Sequence, residues 1–118
     1  MRLLATLVAG VLTAMAAPAE PATSEAPKFL VLDVRTPEEF EQGHAEGAVN
    51  LDFREVGREI GRLAPDKKTA IYLYCLSGAR SGAALRTLQR LGYKKAENVG
   101  TLKAMKDRLR RLKQAEAG

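Results

Sequence analysis

The chain has 118 residues, 46% of them hydrophobic and 28% charged, with 19 Lys and Arg against 14 Asp and Glu. That length is one domain's worth of sequence, and the ordinary globular balance excludes general disorder and supplies enough apolar side chains for a core. A net charge of +5 suits an anionic substrate or surface, and a single cysteine rules out an internal disulfide.

The first stretch differs from the rest. Met1-Arg2 supplies a positive start, residues 3–17 run without a charge, and small residues follow at Ala14-Met15-Ala16 and Ala17-Pro18-Ala19. This is the layout of a secretory signal peptide over residues 1–19, cleaved after Ala16 or after Ala19. The uncharged run is shorter than the roughly 20 residues a spanning helix needs, and Pro18 closes it, so no stable membrane insertion is expected once the leader is cut. Residues 20–28, with Pro21 and Pro27 among small and polar neighbours, read as a flexible lead-in. The folded domain is expected over 29–114.

Phe29 to Val34 is a short, nearly continuous apolar run, as expected of a strand buried on both faces of a parallel sheet. Thr36-Pro37-Glu38-Glu39 then reads as a helix start, with Thr36 as N-cap and Glu39 closing a capping box; Gly43 stops that helix. Ala48 to Leu51 is expected as a second short strand. Phe53, Val56, Ile60 and Leu63 follow at helical spacing. Ala70 to Tyr74 is the clearest strand and leads straight into Cys75. Ser81 to Leu91 is expected as a helix closed by Gly92, Ala96 to Val99 as the last strand, and Leu102 to Gln114 as the last helix. Strands alternating with helices predict an α/β domain with a small, mainly parallel sheet flanked by helices.

One thiol without a partner is either an inert buried plug or kept for chemistry. Its neighbours favour chemistry. Cys75-Leu76-Ser77-Gly78-Ala79-Arg80-Ser81 joins the carboxyl end of a buried strand to a helix, where open α/β sheets bind ligands. Gly78 lets the backbone curl, and a curled loop entering a helix turns several N–H groups toward one point at the positive end of the helix dipole. Both effects favour thiolate over thiol, so Cys75 is the expected nucleophile, ionised mostly at neutral pH, with no histidine base required.

Leu32-Asp33-Val34-Arg35-Thr36-Pro37-Glu38-Glu39-Phe40, then Gly43 to Asn50, then Tyr74-Cys75 through Ser81 resemble, in order and spacing, the three signatures of rhodanese domains. The resemblance runs from about Phe29 to Leu102 and extends to the periplasmic single-domain thiosulfate sulfurtransferases of bacteria. It implies that Cys75 accepts a sulfane sulfur from thiosulfate and passes it to cyanide or a thiol, with Leu76, Ser77, Gly78, Ala79, Arg80 and Ser81 as the substrate-binding loop. A periplasmic monomer is expected, and because no metal-ligand spacing, dinucleotide loop or nucleic-acid motif is present, no cofactor, no metal and no nucleic-acid partner are expected. Phosphatases and arsenate reductases of related fold use a loop one residue longer, so four residues between Cys75 and Arg80 favour sulfur over phosphorus. Leu76 stands where thiosulfate-active members often carry a basic residue. That keeps a second function open, a persulfide or sulfide carrier that hands sulfur to a partner protein.

The supporting residues have structural readings beside the functional ones. Arg80 is expected either to bind the sulfonate of a donor or to hold the loop by pairing with Asp33 or Glu38. Arg35 is expected to pair with a helix carboxylate, and His44 to be a packed loop histidine rather than a base. Lys103, Lys106, Arg108, Arg110, Arg111 and Lys113 form a solvated basic face on the last helix, with contact to anionic lipid as the alternative.

Overall fold

Phe29-Leu30-Val31-Leu32-Asp33 and Ala70-Ile71-Tyr72-Leu73-Tyr74-Cys75 are nearly continuous runs of apolar and aromatic side chains, which suits two strands covered on both faces. They form the centre of the sheet. The structure is a computed structural model describing residues 29–117; the expected leader over 1–19 and lead-in over 20–28 lie outside the described residues. The elements run β1 (Phe29–Asp33), α1 (Pro37–Glu41), β2 (Val49–Asn50), a 3₁₀ turn (Phe53–Glu55) continuing into α2 (Val56–Leu63), β3 (Ala70–Cys75), α3 (Ala79–Arg90), β4 (Ala96–Thr101) and α4 (Leu102–Ala117). The four strands pair in parallel in the order β2-β1-β3-β4.

Side chains alternate across a strand, so each strand feeds two cores. Leu32, Val34, Ile71, Leu73 and Cys75 pack with Val56 and Ile60 of α2 and Ala84 and Leu88 of α3. Val31 and Tyr74 face the other way, toward Met105 and Leu109 of α4 and toward Ala45. This alternation assigns the site residues to opposite faces. Cys75 lies on the α2/α3 side, and Asp33, in register with Tyr74, lies on the α4 side.

Several boundaries moved for local reasons. β2 is only Val49–Asn50, because Ala48 is held in a turn by its N–H bond to the Ala45 carbonyl. The helix expected from Phe53 begins as a 3₁₀ turn, with the Asp52 carboxylate accepting from the Arg54 amide at 2.9 Å. α3 starts two residues earlier than expected, at Ala79, because Gly78 adopts φ +97° and serves as its N-cap. β4 shifts register opposite Leu73 and Tyr74: Leu73 is aligned with Asn98, whereas Tyr74 is aligned with Gly100.

Candidate active site

Cys75 ends β3, and strand alternation turns its side chain under the first turn of α3. The residue is 1% exposed. The Gly78 amide donates to Sγ at 3.0 Å, and the buried Ser81 hydroxyl lies 3.4 Å from the same atom. Burial pushes the thiol up; the Ser81 hydroxyl and the amides of Ser81, Gly78 and Ser77 outweigh it and bring the pKa down to about 7. The loop therefore favours the thiolate relative to an ordinary cysteine. Desolvation opposes these donors, an effect the loop pattern alone does not report. The rate of alkylation by a neutral reagent is expected to rise with pH through a midpoint near 7. A midpoint at or above about 8.5 would show an unactivated thiol.

Of the loop, Leu76, Ser77 and Ala79 are exposed, Gly78 and Arg80 half-buried and Ser81 buried. Leu76, at 61% exposure, stands out as an apolar side chain at the rim. Ala79, Arg80 and Ser81 belong to α3 rather than to the loop.

Arg80 pairs with neither Asp33 nor Glu38. Its guanidinium forks onto Glu39, Nη1 to Oε1 at 2.9 Å and Nη2 to Oε2 at 3.1 Å. Asp33 is out of reach because it faces the α4 side of the sheet. Glu38 is exposed, and a one-residue step on a helix turns a side chain by about 100° away from its neighbour's direction. Glu39 is aimed inward by the capping box, accepting from the Thr36 amide at 2.9 Å. The fork to Arg80, with the Thr36 amide, holds the Glu39 carboxyl down at about 2. Because this folded-state pKa is depressed, the pair contributes fully above the ordinary glutamate value of about 4.3 and is lost as pH falls toward 2. Loss of alkylation between pH 8 and 5 is accordingly expected to follow Cys75 alone, and Glu39→Gln should leave its midpoint near 7 while weakening the fold at neutral pH. A midpoint displaced as far as in an unactivated thiol would show that Glu39 acts on the sulfur.

Arg35 also departs from expectation. It pairs with the strand carboxylate Asp33, Nε to Oδ1 at 2.8 Å and Nη2 to Oδ2 at 2.6 Å, and Nη2 reaches the Gly43 carbonyl at 2.7 Å. Tyr74 donates to Asp33 Oδ2 at 2.7 Å and accepts from the Ala45 amide at 3.0 Å. Asp33 and Arg35 thus pin the segment from Gly43 to Ala45 on the far face of the sheet from Sγ. Removing the Tyr74 hydroxyl leaves a buried amide without an acceptor, at about 1–3 kcal/mol. Tyr74→Phe is expected to melt about 5 °C or more below wild type by calorimetry while alkylating normally. Slowed alkylation in a protein that melts as wild type would reverse this assignment.

His44 is exposed. Its ring stacks on Phe40 with centroids 3.6 Å apart, and Nδ1 lies 2.8 Å from the Phe40 carbonyl. It borders α4 with Glu46 and Lys106, on the side away from Cys75. Three residues of the arrangement were not singled out from sequence: Glu39 as the partner of Arg80, Tyr74 as the bridge to Asp33, and Asn98, whose Oδ1 is 2.7 Å from the Ser81 hydroxyl. The capping box already pointed to Glu39. Nothing local pointed to Asn98, which comes from another strand.

Among the described residues no group of three or more His, Cys, Asp or Glu side chains could hold a metal ion. What the site offers is a buried sulfur at the carboxyl end of a parallel strand, with the Gly78 amide and the Ser81 hydroxyl as donors and the exposed Leu76 beside it.

A parallel α/β domain with one such cysteine under a helix N-terminus is built for cysteine-based group transfer. The chain belongs to the rhodanese-like domain family, whose model matches residues 21–104. It is 42% identical over 72 residues to the thiosulfate sulfurtransferase PspE of Escherichia coli K12, covering 61% of this chain and 69% of that protein. It is 41% identical over 69 residues to the putative sulfur carrier protein YrkF of Bacillus subtilis, covering 58% of this chain but only 36% of that protein. Among solved structures, a rhodanese with anions from E. coli superposes with a TM-score of 0.62 at 40% identity, covering 64% of this chain and 88% of that one.

Proposed function

We propose that the chain is a sulfurtransferase that moves a sulfane sulfur from thiosulfate through a Cys75 persulfide to cyanide or a thiol. The observation that carries this reading is the Cys75 sulfur, buried among donors and held at a pKa of about 7. The thiolate attacks the outer sulfur of thiosulfate; the new S–S bond forms as the bond to sulfite breaks, and sulfite leaves with both electrons and its double negative charge. Cyanide or a thiolate then attacks the outer sulfur of the persulfide, and Cys75 leaves again as thiolate. The negative charge that appears on sulfur in each half-reaction faces the Gly78 amide and the first turn of α3, which stabilise it. Arg80 is engaged by Glu39, so the donor's anionic end is received chiefly by backbone amides and the helix dipole. Leu76, Ser77 and Ala79 form the mouth through which both substrates reach Sγ.

Initial rates over a grid of thiosulfate and cyanide concentrations test this scheme. Parallel double-reciprocal lines, with sulfite released before any acceptor is added, are expected. Intersecting lines with no sulfite until acceptor is present would replace it with a ternary-complex reaction.

The exposed Leu76 beside Cys75 favours a second reading, in which a partner protein docks on the rim and receives the sulfur. Slow turnover with cyanide but rapid transfer to a protein thiol would select it. The reading also includes export to the periplasm by a leader over residues 1–19, a lead-in over 20–28, and a monomeric mature domain over 29–114. Among the described residues no helix is long and apolar enough to cross a membrane. Protein recovered from the periplasm is expected to begin at Ala17 or Glu20; an intact Met1 there would overturn the leader.

A further inference from the structure

Ser81 is fully buried, and its single hydroxyl proton has two acceptors within reach: Asn98 Oδ1 at 2.7 Å and Cys75 Sγ at 3.4 Å. The Asn98 amide cannot be turned round. Its Nδ2 donates to the Gly78 carbonyl at 3.0 Å, and a reversed amide would bring two carbonyl oxygens together at that distance. Oδ1 therefore faces Ser81, where it can only accept. When Sγ is a neutral thiol, the hydroxyl donates to Asn98 and its lone pair is left to take the S–H proton. When Sγ is a thiolate, the charge draws the hydroxyl proton to sulfur and Oδ1 loses its donor.

We propose that Asn98 is a positioning residue: it holds the Ser81 proton while Sγ is neutral, as thiol or as the inner sulfur of a persulfide, and releases it to Sγ when that atom leaves as thiolate. The proton stays on Ser81 Oγ throughout and only its direction changes, so no bond to hydrogen is broken. The inference rests on Cys75 being the sulfur-accepting residue. It gives Ser81 a partner in every state of the cycle, which a buried hydroxyl requires. It also makes Asn98 oppose ionisation in the free enzyme, because the thiolate must win the proton from a shorter hydrogen bond. The charged groups nearest the pair are Arg80 of α3, tied to Glu39 of α1 and within electrostatic reach of Asp52, which is tied to Arg54; Asp33 of β1, tied to Arg35, and Glu97 of β4, tied to Arg108, belong to the adjoining strands. Asn98 is neutral, so replacing it changes none of these charges.

The test is a pH titration of the thiolate ultraviolet absorbance in the full chain, for wild type, Asn98→Leu, Ser81→Ala and the double variant. With the competing acceptor gone, Asn98→Leu is expected to increase the acid constant of Cys75 by about tenfold, the worth of one hydrogen bond to a charged group. In the Ser81→Ala background the same change is expected to have no effect. A weaker acid in Asn98→Leu, an unchanged one, or an equal change in both backgrounds would overturn the proposal, placing Asn98 as a structural tie to the Gly78 carbonyl. Should Asn98→Leu fail to fold by circular dichroism, Asn98→Ala carries the same expectation. Because the titration needs no sulfur donor, failure of wild type to take up sulfur from thiosulfate would refute the transfer reaction and leave this result standing.

Discussion

Cys75→Ser is expected to take up no sulfur from thiosulfate, a loss of at least about 10³-fold in rate, while circular dichroism and the melting profile stay close to wild type. Serine is smaller by a fraction of an ångström in bond length and fills the same pocket under α3, where the Gly78 amide can still find an acceptor. The change lies in ionisation. A thiol held at about 7 supplies thiolate at neutral pH, whereas a hydroxyl in the same place does not ionise, and Ser81 and the loop amides have no anion to stabilise. His44, stacked on Phe40 at the far side of the sheet, cannot substitute as a base. Residual loading above a hundredth of wild type would place the sulfur elsewhere.

Gly78→Val is expected to have the second-largest effect. Gly78 holds φ +97° so that its amide points at Sγ while its carbonyl starts α3 by accepting from the Gly82 amide at 2.9 Å. A Cβ at this position would meet only Gly100 Cα at 3.5 Å and Asn98 Nδ2 at 3.8 Å, which is ordinary contact. Space at the Cβ position is therefore not the main obstacle to a side chain. The backbone angle is, because a β-branched residue in the left-handed region stores about 1–3 kcal/mol, which the loop relieves by rotating the amide away from sulfur. Alkylation at pH 7 and sulfur uptake should both slow by about tenfold or more, with the alkylation midpoint displaced upward from about 7. Gly78→Asn should be milder, since asparagine tolerates the left-handed region. Equal damage from asparagine and valine would show that the side chain, not the angle, is at fault.

Much of this arrangement was legible in the sequence. The run Ala70 to Tyr74 announced a buried strand, Cys75 its carboxyl end, and Gly78 the turn into a helix, so the place of the sulfur followed from local signals. The parallel sheet followed from the alternation of elements. What stayed hidden depended on which face of the sheet a residue occupies. Asp33 is aligned with Tyr74, one position before Cys75, and that single step puts it on the opposite side from Sγ and beyond Arg80. That Arg80 meets Glu39 rather than the expected Glu38 turns on one helical step. The capping box, readable in the sequence, is what aims Glu39 inward. Asn98 reaches Ser81 only through the pairing of β4 with β3 and the register shift that follows, a long-range relation no local pattern encodes. The extent of ionisation was also out of reach, because it balances burial of Sγ against its donors.

The most direct measurement is the intact mass of the reduced protein after brief exposure to thiosulfate and removal of excess reagent. Sulfur carried on Cys75 requires a gain of one sulfur atom per chain, blocked by prior alkylation of Cys75 and reversed by cyanide with thiocyanate released in equal amount. An unchanged mass in protein that still turns thiosulfate and cyanide into thiocyanate would contradict the account, since catalysis would then proceed without a persulfide on Cys75.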